Sequence, residues 1–144
     1  MQAPFFLIAH SIALLRGSTD GTGLGIEYQL GVVMAAFLWA MTGLWLIARM
    51  LAHAGIRDSI VAFMIALLAL GTGLLYYTVI TPATSHVYGF AAVSWSLYGA
   101  QAVWLGRKGA LQCLTVAFSV MVLVRPTLGL MLLMLPAVAL LSPG

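Results

Sequence analysis

Acidic residues are nearly missing from this chain: Asp20, Glu27 and Asp58 are the whole set among 144 residues. None lies inside a long apolar run. Proton- and cation-coupled transporters rely on an Asp or Glu at membrane depth, so that class loses support at once. Basic residues are also few, six Lys and Arg in all, and only Arg107 and Lys108 are adjacent. A nucleic-acid footprint needs clustered Lys/Arg on one accessible face, so the net charge of +3 does not point to nucleic acid. Cysteine occurs once, at Cys113, which excludes an intramolecular disulfide and a CxxC site. Its place in an apolar run reads as a small buried hydrophobe.

What is present is apolar. Hydrophobic residues make up 63% of the chain and charged ones 6%, with a mean hydropathy of +1.11. A soluble domain carries about 25% charged residues. A domain of about 150 residues still exposes roughly 30% of the surface of its unfolded chain. That exposed surface needs lipid or partner subunits to cover it. The expected fold class is an all-α integral membrane protein, one transmembrane domain over residues 1–144 with no soluble appendage.

The charges mark where the helices lie. None interrupts the stretch between Glu27 and Arg49, or that between Asp58 and Arg107. Crossing about 30 Å of hydrocarbon takes roughly 20 apolar residues at about 1.5 Å each. Residues 30–48, 60–80 and 87–106 meet that requirement. Residues 109–124 and 127–141 flank Arg125-Pro126. Pro126 disfavours helical geometry at Arg125, so a C-terminal helical hairpin broken there is expected. The result is a small polytopic bundle of 4–5 transmembrane helices. Residues 4–15 are too few to cross alone and lack the basic start of a signal peptide. They read as a short interfacial or partly inserted helix. Gly17 to Gly25 reads as a flexible polar loop, whose GxGxG spacing follows no strand and so suggests no nucleotide site.

Short loops rich in Lys/Arg stay cytoplasmic. By that rule the loops near 50–58 and 107–108 face the cytoplasm, and the expected location is the bacterial inner membrane. Within lipid, helices associate through close backbone approach at small residues. Each of the three long runs carries such a stripe: Ala36, Ala40 and Gly43; Ala62, Ala66, Ala69 and Gly73; Gly89, Ala92, Ser96 and Ala100. Bulky residues on other faces, Leu38, Trp45, Phe63, Leu67 and Tyr98, should meet lipid or a larger assembly.

Chemistry is harder to find. A bis-histidine haem needs two imidazoles at similar depth, and this topology puts His53 at the end opposite His86 and His10. Met131 and Met134 form an i, i+3 pair, but thioethers more often fill packing gaps than bind copper. Serines and threonines in the spans have no base in reach. No cofactor, metal site or catalytic residue is expected. Arg125 is the exception in the charge map. It is a candidate contact for an anion or for a carboxylate of a partner subunit. The expected function is a small non-catalytic structural or accessory subunit of a larger multi-protein membrane complex, its partners being lipid and other membrane subunits or further copies. Alternatives are a small homo-oligomeric transporter or channel with Arg125 near the permeation path, and a membrane anchor of a redox complex.

Overall fold

The computed structural model describes residues 1–17 and 25–134. Every regular element among them is helical. Six α-helices follow in order: α1 (Ala3–Leu15), α2 (Ile26–His53), α3 (Asp58–Gly71), α4 (Leu74–Val79), α5 (Ser85–Trp104) and α6 (Ala110–Val124). A 3-10 helix, Pro126–Met134, closes the described chain. The central part of the polar loop expected at Gly17 to Gly25, and the hairpin's second arm beyond Met134, lie outside the described residues.

The helices pack side by side, some parallel and some antiparallel. Gly31 of α2 faces Phe5 and Ala9 of α1, and Gly43 faces Phe90 and Ala91 of α5. Further along, the Gln101 amide of α5 donates to the Met50 carbonyl of α2 at 3.0 Å. The register therefore rises together on α2 and α5, which are parallel, while Gly99 of α5 faces Leu114 of an antiparallel α6. α5 is the central helix, held between α2 and α6.

Small residues make these approaches possible. A Cβ at Gly43 would stand 2.6 Å from the Phe90 ring and 3.3 Å from the Ala91 Cα; one at Gly99 would stand 3.1 Å from the Leu114 Cα. More than half of the buried apolar residues are alanines, including Ala35, Ala36, Ala40, Ala91, Ala92 and Ala117. Polar groups bridge the same seams. The Trp95 indole N–H donates to Cys113 Sγ at 3.2 Å between α5 and α6.

α2 and α5 end alike, one just before the Arg57 loop and one at Arg107. Gly55 and Gly106 take positive φ, 75° and 65°, as glycine does past a helix end. Ile56 N–H then reaches back to Leu51 O, and Arg107 N–H to Ala102 O.

Two helices differ from the sequence expectation. Residues 60–80 do not form one rod. α3 stops at Gly71, Thr72 is extended (φ −111°, ψ 174°), and α4 resumes at Leu74. The Thr72 hydroxyl sustains the break, donating to Leu68 O at 2.6 Å and accepting from Leu74 N–H at 3.2 Å. The C-terminal arm past Arg125 winds as a 3-10 helix through Met134 instead of an α-helix. Among the described helices only α2 is long and apolar enough to cross a membrane by itself. A core helix of a soluble protein and a signal sequence pass the same test; α2 lies near the N-terminus, and 33% of its apolar window is buried.

Candidate functional site

At the end of the bundle away from Arg57 and Arg107, three helices bring titratable side chains together. α6 ends at Val124, and Arg125 turns extended (φ −153°, ψ 109°), the conformation that Pro126 imposes on the residue before it. The side chain then lies along α5. Its Cδ would be 3.9 Å from a Cβ at Gly89, an ordinary contact, while Leu128 Cδ1 would be closer at 3.1 Å. The guanidinium Nη1 reaches His86 Nδ1 at 3.2 Å, in the first turn of α5. On its other side the His86 ring stacks on Tyr77 of α4, centroids 4.2 Å apart and planes 24° from parallel.

Donor and acceptor roles follow from chemistry. Arginine carries only donors, so Nδ1 of His86 must accept and the imidazole proton sits on Nε2. The cluster then presents the remaining guanidinium N–H groups and one imidazole N–H. Thr84, which precedes α5, provides no side-chain cap to its first turn. Positive potential from the helix start thus adds to that of Arg125. Among the described residues the one ion pair joins Arg16 to Glu27 at 3.5 Å, on the α1–α2 hairpin, and Asp58 begins α3 at the opposite end. Among the described residues Arg125 therefore has a histidine neighbour and no acidic one.

A second polar contact lies close by. Tyr88 is buried, its hydroxyl donating to Pro82 O at 3.1 Å and accepting from the Gln2 amide at 2.9 Å. It ties the start of α1 to the loop after α4.

The other histidines are elsewhere. His10 Nδ1 is 2.7 Å from the Tyr28 hydroxyl on the α1–α2 hairpin. His53 sits beside Tyr98 near the Arg107 end, ring centroids 6.2 Å apart. Among the described residues no three His, Cys, Asp or Glu side chains gather into a metal-holding group.

The small-residue stripes divide into two kinds. Ala36, Ala40 and Gly43 are buried on α2, and Gly89, Ala92, Ser96 and Ala100 are buried on α5. On α3, Ala62 and Ala66 are exposed and Ala69 is half-buried, while Gly73 lies exposed in the break. Ala62, Ala66 and Ala69 line an open groove of about 630 Å³ that also takes in Met41, Leu44 and Ala48 of α2. Sequence reasoning singled out Arg125 but did not pair it with His86, and it gave Tyr77 no role. The signal available was their shared depth; lateral proximity has no signature in one sequence. No family model, curated protein or solved structure matches this chain.

Proposed function

We propose that this chain is a small non-catalytic subunit of a larger membrane assembly, a helical bundle of four to five crossings whose outer faces are covered partly by lipid and partly by other protein. The carrying observation is the exposed break at Gly71-Thr72-Gly73. Leu74, next to it, packs among Ala36, Ala40, Leu44 and Val87, about one helical turn below Tyr77 and so inside the hydrocarbon if the tyrosines mark its edge. In lipid, non-helical backbone at that depth is tolerated where protein or a water-filled cavity covers it. A helix end leaves its last carbonyls without intrahelical partners, and the Thr72 hydroxyl answers one of them, at Leu68. A partner surface over α3 and the break would cover the others, and the groove lined by Ala62, Ala66 and Ala69 supplies the small side chains that close helix approach requires.

The break also favours a second reading, a homo-oligomeric transporter or channel, since discontinuous helices line many transport paths. Purification in a mild detergent separates the two. Stoichiometric companion proteins that stay bound support the subunit reading. A self-contained oligomer that carries flux in liposomes sinks it. The basic loops, Arg57 and Arg107-Lys108, support a cytoplasmic position for that end of the bundle in a bacterial inner membrane.

A further inference from the structure

We infer that Arg125 and His86, braced by Tyr77, form a binding site for the phosphodiester of a membrane lipid headgroup. The inference takes from the membrane reading above only the source of the phosphate; the chemistry comes from the site.

Three features converge. The Arg125–His86 contact joins a permanent cation to an imidazole whose Nε2–H is left as a donor. Stacking on Tyr77 holds that ring in place. Among the described residues no carboxylate competes for the guanidinium. A phosphodiester offers several acceptor oxygens to such a donor set, and arginine suits phosphate because its planar fork forms paired hydrogen bonds.

Position favours lipid over free phosphate. His86 is exposed and Arg125 half-buried, so the donors lie on the outside of the bundle. Tyr76 and Tyr77 contact each other edge-on beside them, centroids 5.5 Å apart. Amphipathic rings of this kind settle at headgroup level. Leu123 is 84% exposed and Leu130 72% exposed, on either side of Arg125 in the chain, which gives acyl chains an apolar surface next to the donors.

The test uses the full chain, delipidated in dodecyl maltoside and titrated with dioctanoyl phosphatidylglycerol, with dioctanoylglycerol as a phosphate-free control and inorganic phosphate as the free anion. Native mass spectrometry reads bound lipid. The wild type should bind phosphatidylglycerol in preference to both controls. Arg125→Gln should weaken it about tenfold, the scale of one lost charge-assisted contact. His86→Ala should weaken it less, and Arg125→Lys should keep part of it, while Lys108→Gln, at the opposite end, should leave it unchanged. Variants are compared only where their elution and thermal transition match the wild type; Arg125→Lys keeps the test open if Arg125→Gln unfolds.

Equal binding of dioctanoylglycerol overturns the proposal, as does equal weakening by Lys108→Gln. Inorganic phosphate binding as well as the lipid assigns the site to a free anion instead. A companion protein lost in Arg125→Gln with lipid binding unchanged assigns it to a partner carboxylate. Carbonate extraction of the wild type from membranes is a separate readout: release there defeats the membrane reading whatever the lipid titration gives.

Discussion

α3 and α5 both pack on α2, yet they dispose their side chains in opposite ways. α3 is the more uniformly apolar, and of its residues only Val61 is buried. Phe63 is 68% exposed, Leu67 55% and Leu70 71%. α5 carries Ser94, Ser96 and Gln101, and all three are buried along with its glycines and alanines. In a protein folded in water the order is the reverse, because apolar area leaves water first. A core of small and polar residues beneath a coat of Leu and Phe fits the membrane reading proposed above, in which close packing and interhelical hydrogen bonds replace the hydrophobic effect.

The largest expected effect breaks that comparison directly. Leu67→Arg puts a cation on the outward face of α3, most of a helix length from Asp58. In a bilayer the change should disfavour insertion by about 2.5–3.5 kcal/mol, read as loss of the carbonate-resistant fraction on expression. In an aqueous protein the same arginine would sit on the surface, with a stability change within about 0.5 kcal/mol. Unchanged membrane retention would mean that α3 does not face lipid at this residue.

Next is the seam on the other side. Gly99→Leu drives a side chain into the Leu114 backbone, where the first added atom already meets Cα at 3.1 Å. Overpacking of this kind destabilises by about 1–3 kcal/mol, and backbone yields less readily than a side chain. The variant should insert normally yet melt earlier in detergent, whereas Phe63→Ala on α3 should barely move the transition. Equal shifts from the two would erase the distinction between the helices.

Helical character and the break at Arg125 were legible because they depend on features a single chain displays, long charge-free runs and Pro126 forcing Arg125 out of the helix; the ends were less so, since α2 runs from Ile26 to His53 where residues 30–48 were expected. The break at Thr72 was not legible. It lies within an uninterrupted apolar run, with no proline, and it depends on a hydroxyl bonding locally on both sides of itself between two glycines. The outward turn of Ala62 and Ala66 was illegible for another reason. Spacing identifies a face but not what covers it, and α3 turns a small-residue stripe like that of α5 toward an open groove. Pairing of Arg125 with His86 needs two segments 39 residues apart to meet side by side, and position along the bundle axis says nothing about that.

The smallest effect bears on how α5 keeps polar groups inside. Gln101 is 1% exposed, and its amide donates to the Met50 carbonyl near the end of α2. Interhelical hydrogen bonds in membrane proteins are worth on average about 0.6 kcal/mol, because alternative partners exist in the unfolded state. Gln101→Leu removes the bond and fills similar volume, so the thermal transition in detergent should fall only slightly, by less than for Gly99→Leu. Gln101→Ala leaves a cavity as well and should fall further. A large drop with Leu alone would mean that the α2–α5 seam is held mainly by this amide, and that the small-residue packing around Gly43 is secondary.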